Sequence, residues 1–418
     1  MHNVQPERQR QFAVEVVEAL RSGGYEAYLA GGCVRDQLLG RTPKDYDVAT
    51  SALPQQIQSL FGRRRTLDIG AAFGVITVLG QPGAGQIEVA TFRQDLGYTD
   101  GRHPDAVRFS SAREDAERRD FTINGMFYDP VAEQVIDYVE GQADLARKQI
   151  RAIGQVEQRF EEDKLRMLRG VRFAATLGFS IEPKTAAAIV RMAPAIAVVS
   201  AERIAAELRA MLIHSSRSVA VQLLYDLGLL AIVLPEALPT AGPHAVASEW
   251  TRTILLLERL NTESFPLALA TLLNRISDPS VIRQICQRLK LSNKETASLE
   301  YLLTHYPEIL ANAELRWSQL QPILVHDCAP ELLQLGECIA SVDNLLPAAL
   351  AQSKAQLQLP REQLDPPPLL SGADLITAGV PRGPIFGQLL QEVRNAQLDG
   401  ELSSQKAALQ LVERRLKR

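Results

Sequence analysis

A chain of 418 residues exceeds what one hydrophobic core usually serves, so two or more domains are expected. Its 46% hydrophobic and 22% charged residues match an ordinary globular protein and exclude a disordered or collagen-like one. A net charge of −4 excludes a surface that binds nucleic acid indiscriminately, yet leaves room for a local basic groove. No apolar run approaches membrane-spanning length, and the opening MHNVQPERQRQF lacks the apolar core of a signal peptide, so a cytoplasmic protein without membrane contact is expected. The four cysteines (Cys33, Cys286, Cys328, Cys338) form no CxxC pair, which fits reduced thiols. Nothing in the sequence speaks to oligomeric state.

The first predicted element is a helix over Gln9–Arg21, where Phe12, Val16 and Leu20 recur every four residues. An apolar strand follows over Tyr25–Ala30, then Gly31 and Gly32, then a short amphipathic segment over Val34–Leu39. Glycines ahead of a helix start offer backbone N–H groups to a phosphate, and Arg35 adds a positive fork. The next stretch reads as β-structure and carries Asp45 and Asp47. Residues i and i+2 of a strand share a face, so the two carboxylates would project together and repel unless a cation lies between them. Mg²⁺ is the expected cation, because it takes carboxylate oxygens and leaves positions for substrate phosphates. A metal-holding pair beside a phosphate cradle is the apparatus of phosphoryl or nucleotidyl transfer.

Further along, Leu53–Phe61 reads as a helix, and Ala72–Leu79 and Gln86–Phe92 as strands. Glu88 lies between Ile87 and Val89, and is either a strand-edge charge or a third carboxylate of the metal site. Arg63–Arg65 read as a solvated turn. Arg93–Arg108 has Gly97, Gly101, Pro104 and no period, the composition of a mobile loop. A helix is predicted over Ala112–Asn124, with Arg118, Arg119 and Asp120 running directly into apolar Phe121 and Ile123. From about residue 150 helical periodicity takes over, with segments near 155–177, 183–194, 201–213, 216–227, 247–260, 264–274, 279–290 and 294–304. Pro366–Pro368 mark a break before a last small unit.

Within the first of those helices, Glu161–Phe173 reads EEDKLRMLRGVRF. Asp163, Arg166, Arg169 and Arg172 recur at spacing three and would share one face, with Glu162 four residues before Arg166. One account is a surface helix laced with ion pairs. The other uses hydrogen-bond polarity: a carboxylate accepts and a guanidinium donates. Cytosine and adenine each offer an exocyclic amine beside an unprotonated ring nitrogen, and uracil and guanine offer the reverse. An Asp163/Arg166 pair therefore suits C and A and opposes U and G.

Five stretches together resemble the class II CCA-adding tRNA nucleotidyltransferases, in the family that also holds bacterial poly(A) polymerases. They are GGCVRDQLLGRTPKDYDVATSA (31–52), IEVATFR (87–93), ERRDFTINGM (117–126), EEDKLRMLRGVRF (161–173) and GADLITAGVPRGPIFGQLL (372–390). The resemblance implies an α+β fold. A nucleotidyltransferase palm with a mixed β-sheet (1–150) would precede an all-helical neck (151–235), body (236–365) and tail (366–418). It implies that Asp45 and Asp47 bind Mg²⁺, with Glu88 a third catalytic carboxylate, in a two-metal transfer onto the tRNA 3′ end. By the same resemblance Gly31, Gly32 and Arg35 hold the triphosphate of ATP or CTP, and Arg119, Asp120 and Asn124 face its sugar or phosphates. Glu162, Asp163 and Arg166 belong to the base-reading motif, with Arg169 and Arg172 supporting it. Gly383-Pro384 presents backbone N–H groups to tRNA phosphates or simply starts a helix. Relatives that add only CC have a shortened loop here, so the full-length stretch 93–108 implies that adenine can be added. An A-adding enzyme with a CC-adding partner, a poly(A) polymerase and a catalytically silent RNA-binding protein are the alternatives. Leu267–Asn274 resembles a helix that carries a His-Asp pair in relatives with a phosphohydrolase domain. Here it reads Asn274-Arg275, and the His326-Asp327 dipeptide stands elsewhere, so no phosphohydrolase activity is expected.

Overall fold

Apolar residues at every third or fourth position give α1 (Pro6–Ser22) one buried face of Phe12, Ala13, Val16, Val17 and Leu20 in the computed structural model. That structure describes residues 5–70, 73–96, 106–239, 243–311, 313–380 and 383–416. The chain divides into two compact units, Met1–Pro235 and Glu236–Arg418.

In the first unit β1 (Ala27–Ala30), α2 (Gly32–Leu38), β2 (Asp47–Thr50), α3 (Pro54–Phe61), β3 (Thr66–Gly70), β4 (Val75–Leu79) and β5 (Gln86–Thr91) follow α1. Then come β6 (Arg93–Leu96), β7 (Ala106–Phe109), α4 (Ala112–Glu117), β8 (Phe127–Asp129) and β9 (Gln134–Ile136). Seven strands form one mixed sheet in the order β3-β4-β5-β2-β1-β8-β9, with β2 and β5 parallel. Leu29, Val48, Ile76 and Val89 on one face pack with α1 and α3 into the main core. Ala30, Ala49, Phe92 and Phe127 form a smaller core with α4 on the other face. Register places Ala30, Asp47 and Glu88 side by side across three strands, so Asp47 and Glu88 share a face.

Asp45 is not on the strand. Strand β1 ends at Ala30, opposite Asp47, and the chain then turns away at Gly31. Residues before Asp47 therefore have no ladder partner, and Asp45 sits in the loop leading to β2. The expected loop over 93–108 is bounded by a β6–β7 hairpin ladder, and residues 97–105 lie outside the described ones. The helix expected over 112–124 stops at Glu117. Phe121 turns extended to bridge Ala152, and a 3-10 turn covers Thr122–Asn124.

The unit continues through α5 (Gly141–Ala146), β10 (Gln149–Ile150), α6 (Val156–Glu162), α7 (Leu165–Leu177), β11 (Ser180–Ile181), α8 (Pro183–Met192), α9 (Ala201–Leu212), α10 (Arg217–Asp226) and α11 (Leu230–Val233). The single helix expected over 155–177 is two. Asp163 is extended (φ −145°, ψ 103°) and its Oδ1 accepts the Leu165 N–H at 3.1 Å. An aspartate bonded to the backbone two residues on competes with helix, and it ends α6 and opens α7.

The second unit is helical where described: α12 (Pro243–Arg259), α13 (Phe265–Leu272), α14 (Pro279–Arg288), α15 (Asn293–Ile309), α16 (Trp317–Leu324), α17 (Ala329–Asp343), α18 (Ala348–Leu357), α19 (Arg361–Leu364), α20 (Gly372–Thr377), α21 (Pro384–Leu398) and α22 (Gln405–Leu416). The apolar helix α13 is buried among α12, α15 and α17. The last three helices share a core of their own around Leu375, Leu389, Val393 and Val412.

Candidate active site

A cleft of about 450 Å³ in the first unit is lined by Gly31, Gly32, Arg35, Asp47, Arg118, Arg119, Asp120, Asn124, Asp163, Arg166, Arg169, Arg172 and Phe173. Six of these are arginines and three are aspartates, so the cleft is cationic within a chain of net charge −4. It suits a polyanion such as a triphosphate.

Gly31 shapes the cleft floor. Its φ of +75° suits glycine, and a Cβ there would lie 2.9 Å from Arg119 Nη1. Its own N–H donates to the Met126 carbonyl at 3.2 Å, so this glycine offers close approach and not a phosphate donor. One turn on, Arg35 donates to Asn124 Oδ1 at 2.7 Å and to Asp36 at 2.8 Å.

Asp47 lines the cleft, and its carboxyl is pushed up to about 6. Loss of water is the first cause, Glu88 and Asp45 add repulsion, and Arg119 opposes them. Asp45 and Glu88 do not line the cleft wall, but their charge reaches Asp47 from beside it. A carboxylate group strained by its neighbours' like charge, with hard oxygen donors, fits a divalent cation. Among the described residues no preformed cluster of three or more His, Cys, Asp or Glu side chains is assembled for one.

The arginines are held by a continuous network. Buried Asp115 accepts from Arg118 Nη2 at 2.7 Å and Arg119 Nη2 at 3.0 Å, and the two guanidiniums outweigh burial and keep its carboxyl low. Asn124 donates to Asp120 Oδ1 at 3.1 Å, and Arg169 Nε donates to Asp120 Oδ2 at 2.8 Å. Burial alone would raise the Asp120 carboxyl, but Arg169 and these bonds hold it at about 2. Glu207 on α9 then lies 3.8 Å from Arg169 and 2.7 Å from Arg172 Nε. The last contact is misaligned for a hydrogen bond and acts through charge. Phe173 faces the guanidiniums of Arg172, Arg169 and Arg35 with their Cζ atoms 4.5, 5.2 and 5.4 Å from its ring centre.

Asp163 and Arg166 both reach the cleft, though from a helix junction and not from one face. Arg203 donates to Asp163 Oδ2 at 2.7 Å. Arg166 donates to Glu162 Oε2 at 2.8 Å, to the Arg159 carbonyl at 3.0 Å and to the Arg118 carbonyl at 3.2 Å. Glu162 thus lies behind the cleft wall and orients Arg166.

Sequence reasoning missed Arg118 and Phe173 as lining residues, and Asp115, Arg203 and Glu207 as their holders. The Asp115 spacing of three and four to Arg118 and Arg119 was a readable signal. Arg203 and Glu207 share a helix face, but nothing local joins that face to residue 163 or 172. In the second unit Asn274 is buried, accepts from Arg252 Nη1 at 2.9 Å, and its carbonyl accepts from the Tyr306 hydroxyl. Arg252 also holds Asp343 at 2.6 and 2.7 Å. His326 stacks on Tyr301, centroids 3.9 Å apart.

Comparison with known proteins matches three families. Residues 27–151 match the poly(A) polymerase head domain, 178–239 the RNA and SrmB-binding site of polymerase A, and 260–412 the tRNA nucleotidyltransferase domain 2. The CCA-adding enzyme of Leuconostoc mesenteroides is 34% identical over 412 residues, covering 95% of this chain and 94% of that protein. That of Lactiplantibacillus plantarum is 34% identical over 408 residues, covering 96% and 94%. The crystal structure of the Bacillus stearothermophilus CCA-adding enzyme in complex with CTP superposes with a TM-score of 0.77 at 30% identity, covering 98% of each chain.

Proposed function

The chain belongs to the CCA-adding enzyme family, and from that premise we propose which of its residues perform each part of the work. It is an RNA nucleotidyltransferase that adds CCA to the 3′ end of tRNA, with C drawn from CTP and A from ATP. One observation carries the assignment of roles: a single cationic cleft gathers Asp47, the Gly31–Arg35 turn and the Asp163/Arg166 pair.

Asp45 and Asp47 are the ligands of a divalent cation, magnesium by the hardness of their oxygens, with Glu88 the carboxylate that tunes Asp47. When bound, the metal would acidify the attacking hydroxyl and offset charge on the leaving pyrophosphate. Arg35, Arg119 and Arg172 hold the triphosphate, and Gly31 and Gly32 let it approach the backbone. Arg118, Arg169 and the Asp120–Asn124 pair keep the cleft walls in register for the sugar. Asp163 accepts from, and Arg166 donates to, the base edge that C and A share, so the wrong base leaves dry polar groups unpaired. Positioning and charge supply most of the acceleration.

Residues 1–150 serve as palm, 151–235 as neck, 236–365 as body and 366–418 as tail. Gly383 stands at the N-cap of α21, which supports its reading as a helix start. Among the described residues no helix is long and apolar enough to cross a membrane, in keeping with a cytoplasmic enzyme.

The test is 3′-end sequencing of tRNA extended by the purified protein with Mg²⁺, CTP and ATP. Transcripts lacking CCA and transcripts ending in CC should both finish at CCA and stop. Extension of the CC-ended transcript alone would instead make this an A-adding enzyme.

A further inference from the structure

Phe173 on α7 lines the nucleotide cleft with only 9% of its surface exposed, and the chemistry above gives it no task. Its ring is anchored in the core by fully buried Phe121, the two planes crossing at 80° with centres 6.0 Å apart. Three guanidiniums gather about the same ring. Arg172, Arg169 and Arg35 place their Cζ atoms 4.5, 5.2 and 5.4 Å from its centre. Arg35 and Arg172 belong to the set assigned above to the triphosphate. The remaining member of that set, Arg119, stands over another buried ring, Phe127, at 5.1 Å.

Like charges this close repel, and something must hold them together before a triphosphate arrives. A carboxylate does so, but it also cancels the charge that draws a polyanion. An aromatic ring attracts a cation through its quadrupole while carrying no net charge. The partners of the three arginines fit that division. Arg35 is bonded to Asp36 and Asn124, and Arg169 to Asp120. Arg172, nearest the ring, has Glu207 alone within ion-pair distance among the described residues. That carboxylate oxygen lies 2.7 Å from Nε, out of line for a hydrogen bond.

We propose that Phe173 is a positioning residue for the triphosphate: its ring seats Arg172, Arg169 and Arg35 as a cluster without cancelling their charge. The proposal rests on the nucleotidyl-transfer reading. It acts on the part that CTP and ATP share, so both nucleotides should respond alike, and base choice at Asp163 and Arg166 should not.

The experiment replaces Phe173 in the full chain by mono-, di- and trifluorophenylalanine. Each fluorine withdraws negative charge from the ring face with little change of shape. KM for CTP and for ATP should climb together, reaching about 3- to 30-fold at the trifluoro ring. Inorganic tripolyphosphate, which has no base, should lose affinity in parallel in calorimetry. KM for tRNA lacking CCA, and the ratio of CTP to UTP incorporation, should stay as in the wild type. Phe173→Leu should lose at least as much as the trifluoro ring, with thermal midpoints separating that loss from unfolding. Trifluorophenylalanine at Phe121, which no guanidinium faces among the described residues, should leave tripolyphosphate binding unchanged. The role is overturned by tripolyphosphate affinity that stays flat across the series, by an equal loss on fluorinating Phe121, or by a rise confined to one nucleotide. Wild-type protein that binds tripolyphosphate but adds no nucleotide to tRNA would sink the enzymatic reading itself, while the calorimetric series still reports on the ring.

Discussion

Arg166 has only 8% of its surface exposed, and three acceptors already engage its guanidinium. Such a group is aimed before substrate arrives, and a base that cannot accept from it meets a fixed donor in a dry site. Arg166→Ala should therefore raise misincorporation of UTP and GTP by roughly 10–100-fold, because one unmet hydrogen bond there costs about 1–3 kcal/mol. KM for CTP should change less, and unchanged selectivity in a four-nucleotide competition assay would reject the role. Asp47 makes a pH prediction. Its carboxyl, raised from 3.8 to about 6, holds a proton more tightly in the fold than in the unfolded chain. Native stability from this group therefore declines as pH climbs from about 4 to 6, and cation binding must compete with that proton below about 6. Half-saturating Mg²⁺ for incorporation should rise as pH falls from 7 to 5. A flat dependence would show that Asp47 is already ionised there.

At the scale of elements, α7 is tied to the sheet side of the cleft by apolar and ionic contacts. Gly170 packs on Phe121, where a Cβ would lie 3.1 Å from its ring, and Arg169 grips Asp120. The Asp120 carboxyl lies at about 2 against an ordinary 3.8, so its stabilisation is complete above about 4 and is lost as pH falls toward 2. The contribution is on the order of 2 kcal/mol. Acid titration followed by near-ultraviolet circular dichroism should show part of the structural loss in that window. Asp120→Asn should be less stable at neutral pH and lose most of the acid-dependent component. An unshifted titration in the variant would show that the pair contributes little.

At the scale of the molecule, each of the two units buries a core of its own, and the nucleotide cleft lies within the first. A ligand at 100 times its Kd stabilises the unit it binds by about 2.7 kcal/mol. Calorimetry with saturating CTP should thus raise one transition, that of residues 1–235, and leave the other where it was. A single transition moving as a whole would mean that the units unfold together.

Local chemistry was enough to read the Gly31-Gly32 turn, Arg35, Asp47 and the arginines of α7, because period, glycine placement and charge spacing act over a few residues. The change from sheet to helix near residue 150 was legible for the same reason. Three things needed the tertiary structure. Asp45 leaves the strand because the chain that would face it, at Gly32, has already turned out of the ladder into α2. Asp163 breaks the helix expected to carry it, since its side chain accepts the N–H of Leu165, the first residue of the next one. Arg203 and Glu207 hold Asp163 and Arg172 across 40 and 35 residues of chain, and Phe173 meets Arg35 across 138, which no local period encodes. The sequence by itself determined which side chains carry charge and where glycine lets the chain turn. Folding decided how they are aimed, because burial and long-range ion pairs exist only once distant segments meet.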